Sequence, residues 1–302
     1  MRLSPARIRD LLLYQIVLFI VFFQTVEAGS GGVIQKDEVV VLYDKSLRAA
    51  AEEVVRLYPK LTSELEQTLN WKIDFQPRIL VTTGRERFRG NGAKNLVVAY
   101  AVPHRRLIVI DYSRVNTHPF TLGVVIKHEL CHLLLHHHIQ TANLPRWLDE
   151  GISQWVSDGV AEIMMESERS LLEAAILSKK HLSLKKITER FPQDKDSLLL
   201  AYEESKSLVD YMNAEFGRNK ILETLELLKD GEEVNLAILK SLSISIEELE
   251  RRWYEHLKAR TTWFTYLSAH LYQFLFFFAA LITVYGFVRL VLRKRAYEDS
   301  EG

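Results

Sequence analysis

The feature that most constrains this chain is the segment Thr121-Leu-Gly-Val-Val-Ile-Lys-His-Glu-Leu-Cys-His-Leu-Leu-Leu, where two histidines and a glutamate sit in an otherwise apolar run. The apolar residues recur at helical spacing, with Val124, Val125, Cys131, Leu134 and Leu135 available for a core, so a buried helix is predicted. On that helix His128 and His132 are separated by about 40° in azimuth and about 6 Å in rise, and both imidazoles project from one face toward a single cation. Glu129 lies on the adjoining face. Two neutral histidines in this arrangement suit zinc, and a carboxylate beside the open coordination position suits general-base work on a water.

With 10 histidines and 27 glutamates in 302 residues, an H-E-x-x-H match arises by chance roughly 3% of the time, so its surroundings must decide. A structural zinc site closes with four protein ligands, whereas a catalytic one needs only a third and leaves room for water. Glu150, in Leu144-Pro-Arg-Trp-Leu-Asp-Glu-Gly151, is the candidate. Seventeen residues separate it from His132, enough for the first helix to end, a loop to turn at Pro145 and a second helix to return a carboxylate. Pro145 and Asp149-Glu150 suit the first turn of that helix, and Trp147, Leu148, Ile152, Trp155 and Val156 supply its buried side.

These residues resemble the gluzincin arrangement of thermolysin-like and aminopeptidase-like zinc enzymes. More closely, they are similar to the peptidase MA-like domains of bacterial membrane or secreted proteins. The similarity runs over about 95–260 and includes Tyr202-Glu-Glu-Ser-Lys-Ser-Leu-Val-Asp-Tyr211, Phe216-Gly217 and Ser245-Ile-Glu-Glu-Leu-Glu-Arg-Arg-Trp253, with the zinc motifs its specific part. It implies one Zn2+ ion held by His128, His132 and Glu150, with Glu129 as general base. It also implies Tyr202 as the phenol that donates to a tetrahedral oxyanion; the alternative for Tyr202 is a partly buried helix tyrosine. The G-x-M-E-N signature of the aminopeptidase branch is absent from 90–112, so amino-terminal trimming is not implied.

The sequence contains features of two other sites. His138 stands where a metzincin's third histidine would be, but that motif needs glycine at the position of Leu135, and leucine favours a continued helix. Solvated histidines at 136–138, near a helix carboxyl end, are the alternative. An intramembrane protease also carries H-E-x-x-H, but 119–138 holds Lys127 and five histidines, too polar for an ordinary span.

The chain's ends place the site. Residues 1–28 begin with Arg2, Arg7 and Arg9, continue with an apolar stretch from 11 to 26 and reach Val-Glu-Ala28 before Gly-Ser-Gly-Gly. This reads as a secretory signal peptide, or as an uncleaved anchor. Residues 263–288 are almost continuously apolar and about 39 Å long as a helix, enough to cross a bilayer. Arg289, Arg293, Lys294 and Arg295 follow and favour the cytoplasmic side, while Trp263, Tyr266 and Tyr272 suit the opposite interface. His270 and Gln273, near that outer end, read as structural. The predicted layout is a signal peptide over 1–28, an extracytoplasmic domain over 29–262 divided into an α/β part (29–118) and a zinc-site and helical part (119–262), a span over 263–292 and a cytoplasmic tail over 293–302. The expected location is the cytoplasmic, or inner, membrane, with the peptidase domain on the periplasmic side.

The exported part carries 32 basic against 34 acidic residues, so nothing electrostatic claims nucleic acid. The expected partners are a peptide or protein substrate and the bilayer; the sequence is silent on oligomeric state. The lone Cys131 cannot form an internal disulfide and reads as packing. Strands are predicted over 38–43, 78–82, 96–102 and 106–111, the last two as a hairpin about Pro103-His104, and 96–102 as an open edge lining the cleft. Helices are predicted over 46–69, then near 160–180, 197–216, 219–229, 232–241 and 245–260. The fold class is α+β: a small mixed sheet packed on the motif helix, then a mainly helical subdomain and one C-terminal transmembrane helix. The sequence is expected to encode a membrane-anchored zinc metallopeptidase, an endopeptidase by expectation. The alternative is a non-catalytic peptidase-like module that binds a protein partner in the envelope.

Overall fold

A computed structural model describes residues 31–36, 38–83, 97–115, 121–157, 171–260 and 270–298. The predicted signal peptide, Leu96, Trp263 and Tyr266 lie outside these residues. Five strands form one sheet: β1 (Gly31–Lys36), β2 (Val39–Asp44), β3 (Arg78–Thr82), β4 (Ala99–Val102) and β5 (Leu107–Asp111). Their order is β1-β2-β3-β5-β4, with β2, β3 and β5 parallel and the two edges antiparallel to their neighbours. A mixed sheet of this kind follows from the connections. β2 reaches β3 through helix α1 (Arg48–Leu69), whereas β4 and β5 join through a single turn of 3-10 helix at Pro103–Arg105. The predicted hairpin is therefore present. β1, which the sequence did not announce, adds an exposed edge on the far side.

Helix α1 buries Val54, Tyr58, Leu61, Leu65 and Leu69, an i, i+4, i+7 stripe, and stops at Asn70, whose φ of 57° gives the left-handed cap. Helix α2 (Leu122–His138) lies between α1 and the β4–β5 edge. Thr121 caps its start by accepting the Val124 N–H at 3.3 Å. Leu122, Val125, Ile126 and all of 128–135 are buried, so the motif helix is covered on nearly every side. Its exception, Lys127, reaches Glu64 of α1 at 2.9 Å. Helix α3 (Arg146–Ser157) packs on α2 and against α5 (Lys195–Phe216). Gly151 permits the second contact, because a Cβ there would lie 2.5 Å from the Ser205 carbonyl oxygen.

The helical subdomain is completed by α4 (Leu171–Ser178), α6 (Arg218–Lys229), α7 (Val234–Leu242) and α8 (Ile246–Arg260). The helix predicted near 160–180 is thus seen only in its second half, its first part lying outside the described residues. Helix α9 (Leu271–Glu298) contains a 21-residue stretch, Leu271–Val291, long and apolar enough to cross a membrane and not buried against the rest of the chain. At 1.5 Å per residue that stretch spans about 31 Å, close to the hydrocarbon thickness of about 30 Å.

Candidate metal centre

Two helices converge to build the site. His128 and His132 project from one face of α2, and Glu150 returns just past the first turn of α3, the turn that carries Asp149. The three residues are 0%, 3% and 0% exposed, so their polar atoms can find partners only in one another and in the surrounding protein. Nε2 of His128 lies 3.1 Å from Nε2 of His132, and Oε2 of Glu150 lies 3.7 and 3.6 Å from these two nitrogens.

These distances test the fit of a cation. A triangle with sides 3.1, 3.7 and 3.6 Å has a circumscribed radius of about 2.0 Å. Three ligands of a tetrahedral zinc with bonds of about 2.1 Å lie on a circle 0.94 times that length, also about 2.0 Å. The chemistry agrees with the geometry. Each histidine turns its Nδ1 away from the cluster, which leaves two nitrogen lone pairs and a carboxylate oxygen facing a common point. The described residues thus include one buried group of three, His128, His132 and Glu150, able to hold a metal ion.

The outward nitrogens are held by α3. His132 Nδ1 donates to Asp149 Oδ1 at 2.6 Å, with the Ser153 hydroxyl at 3.3 Å, and His128 Nδ1 lies 3.5 Å from the Ser157 hydroxyl. Asp149, Ser153 and Ser157 follow at four-residue spacing and therefore share one face of α3. Asp149 Oδ2 also accepts from His136 Nε2 at 3.1 Å and from Arg146 at 3.3 Å. Arg146 additionally pairs with Glu150.

The charges bias the site strongly. Burial alone raises the Glu150 pKa, but the Arg146 charge, His132 and the bonds from both histidines outweigh it and hold the carboxyl well below the usual range. Burial likewise opposes a charge on His132, yet Asp149 and Glu150 raise its pKa well above the ordinary value. The same pairing lowers Asp149 against its own desolvation. A metal ion can take the place of that excess positive charge.

Glu129, also 0% exposed, is the next residue on α2. A cleft of about 470 Å³ opens onto His132 and Asp149, with Tyr100 and Ala101 of β4 and Tyr202 of α5 in its walls. The edge strand predicted to line the cleft does so, beginning at Ala99 rather than 96. Tyr202 is 5% exposed, and its ring meets Phe191 edge-on at 5.1 Å. His138 is elsewhere. The helix runs unbroken through Leu135, and the His138 ring packs 4.7 Å from Trp71, so the metzincin-type arrangement is not formed. Cys131 is fully buried, with burial pushing its thiol up to about 12, in keeping with packing. Asp149, Ser153 and Gln154 all lie on α3 within four residues of Glu150. The structure gives the first two to His132, whereas Gln154 donates to the Tyr202 carbonyl at 3.1 Å. Arg146 was not anticipated, although its i, i+4 spacing to Glu150 was a usable signal.

A buried two-histidine, one-carboxylate cluster on facing helices, beside a cleft with an edge strand for a wall, defines a protein built around an H-E-x-x-H helix that contributes to a cluster able to hold a metal ion. The chain belongs to the Peptidase MA superfamily, whose sequence profile matches residues 97–259. No curated protein matches it in sequence. Among solved structures it is similar to an aminopeptidase A from Legionella pneumophila in complex with aspartic acid (16% identity, TM-score 0.45, 74% of this chain and 27% of that one). It is also similar to a mutant M1 zinc metallopeptidase from Deinococcus radiodurans (12%, 0.44, 74% and 50%) and to native yeast LTA4 hydrolase (15%, 0.43, 76% and 38%). The chain thus spans half or less of the length of each.

Proposed function

We propose that this protein is a membrane-anchored zinc metallopeptidase that cuts within peptide chains outside the cytoplasm. The observation that carries the reading is the buried triangle of His128, His132 and Glu150, with Glu129 beside it on the same helix. One zinc ion held by those three side chains supplies Lewis acidity toward a water and the scissile carbonyl. Glu129 accepts the proton of the attacking water and returns it to the leaving amine. Asp149 keeps His132 in the tautomer whose Nε2 faces the cluster, and Arg146 offsets the charge of Glu150. Tyr202 donates its phenol O–H to the oxyanion that forms on the carbonyl. The substrate lies extended along β4, an edge strand among the described residues, and bonds to it through its backbone.

The domain layout follows the sequence: a signal peptide or anchor over 1–28, the peptidase domain over 29–262, a span over 263–292 and a tail over 293–302. The basic residues at 289 and 293–295 keep the tail in the cytoplasm, which puts the peptidase domain on the periplasmic side of the inner membrane. Glu129→Gln tests the reading. Peptide hydrolysis is expected to vanish while elemental analysis still finds one zinc per chain. Undiminished turnover refutes the assigned base, and a zinc-loaded wild type that cleaves nothing in a broad peptide library favours a partner-binding module.

A further inference from the structure

The cleft continues past the metal centre. A second cavity of about 310 Å³ shares Pro103, His104, His136 and Thr141 with the first and adds Phe75, Arg106, Leu133 and His137. Together they form one groove running from His132 along α2 and the turn after β4. Among the described residues, the ionisable ones lining it are Asp149, Arg106, Arg146, Tyr100, Tyr202 and four histidines. Asp149 is saturated by His132, His136 and Arg146, and Arg146 is committed to Asp149 and Glu150. At the rim the exposed Asp74 pairs with His137 at 2.7 Å.

Arg106 differs from all of these. Its backbone is pinned, with a φ of 48° and its N–H bonded to the Pro103 carbonyl at 2.9 Å. Its guanidinium lies 5.5 Å from the centre of the Phe75 ring and makes no ion pair among the described residues. An exposed guanidinium on an aromatic face, with no ion pair among the described residues, in a groove whose described lining holds one carboxylate already bonded to three partners, is set to receive a carboxylate.

We propose that Arg106, with His104 beside it, forms a specificity subsite for an acidic substrate side chain, Asp or Glu. The inference rests on the peptidase reading. His136 and His137 lie about one helical turn beyond His132 and Leu133, about 6 Å, and an extended peptide advances about 3.3 Å per residue. A side chain that reaches Arg106 therefore belongs to a residue at least about two positions from the scissile bond.

The test uses full-length protein in detergent, loaded with zinc, and peptides blocked at both ends that carry Glu, Gln or Lys at each of the three positions on either side of the bond. At one position two or three residues away, Glu is expected to exceed Lys by at least about tenfold in kcat/KM. Arg106→Gln should bring that ratio within about twofold, Arg106→Lys should keep most of it and Arg106→Glu should invert it. Binding of the same peptides to the Glu129→Gln protein, followed by fluorescence anisotropy, should show the same order and the same loss on adding Arg106→Gln. Equal handling of Glu and Lys peptides, or a preference untouched by Arg106→Gln, overturns the subsite. A preference seen only with free carboxyl termini overturns the side-chain assignment in favour of terminal recognition. Charge-selective binding without any cleavage sinks the peptidase reading and leaves the subsite standing.

Discussion

Asp149→Asn separates a metal-orienting carboxylate from a merely structural one. In the native site Asp149 is 2% exposed and its 2.6 Å bond to His132 Nδ1 is the shortest held by either histidine's outer nitrogen. Asparagine keeps the size and, turned one way, keeps an oxygen for His132. Its amide then presents N–H donors toward His136 and Arg146, where Oδ2 accepts at 3.1 and 3.3 Å. The variant thus converts a charge-assisted bond to a neutral one, about half as strong, and loses two further acceptances. Removing such an outer partner lowers metal affinity by about 10- to 100-fold, or about 1.4–2.7 kcal/mol. The assay is competition for zinc against a chromophoric chelator at fixed pH, with circular dichroism to confirm the fold. Ser153→Ala, which removes only the 3.3 Å contact, should cost less than about threefold and serves as control. A folded Asp149→Asn protein whose zinc affinity stays within twofold of the wild type refutes the orienting role.

Two further predictions concern stability. Glu204 is 1% exposed; burial, reinforced by Glu250 and Glu203, pushes its pKa up from 4.5 to about 8 despite the bond from the Leu182 N–H at 2.9 Å. A raised folded pKa gives stability that is complete below about pH 4.5 and is lost as pH rises to 8, about 1.4 × 3.5 or roughly 5 kcal/mol. Glu204→Gln, which keeps the acceptor for Leu182, should flatten urea-derived stability between pH 5 and 8, and parallel curves for the two proteins would sink the assignment. Gly151→Ala should lower stability by about 1–3 kcal/mol in thermal unfolding, even though alanine favours helices by about 1 kcal/mol, because the new Cβ meets the Ser205 carbonyl and Val209. An unchanged or raised melting temperature would show that α3 and α5 can separate without cost.

Much of the architecture was legible because it is written in short periods. The α2 stripe, the Pro145 start of α3, the α1 repeat from Val54 to Leu69 and the four helices after 195 depend on residues three or four apart, and their ends fell within two residues of expectation. β1 was not legible, since Gly-Gly-Val-Ile-Gln-Lys is mostly exposed and gives a weak alternation; its pairing with β2 makes it a strand. Nor was the sheet order, which places β4 at the edge only because β5 inserts between β3 and β4.

The same division holds at the site. The cluster of His128, His132 and Glu150 was legible in the sequence because one helix carries the two imidazoles on one face and the separation of Glu150 allows a turn and a return. The outer partners of the histidines could not be chosen that way. Asp149, Ser153 and Gln154 are equally near in sequence, and the rotation of α3, set by Gly151 against Ser205, turns the first two toward His132 and the third toward Tyr202. The groove at Arg106 depends still more on assembly, since Phe75, Arg106 and His136 come from three separate segments. What the sequence determined alone was the motif helix, its candidate third donor and an apolar stretch able to cross a bilayer, all properties of periodicity and composition. The closure of the donor triangle to a zinc-sized circle, the pairing of His132 with Asp149 and the seating of Arg106 on Phe75 were decided by tertiary packing, because each depends on distances between elements that no local pattern encodes.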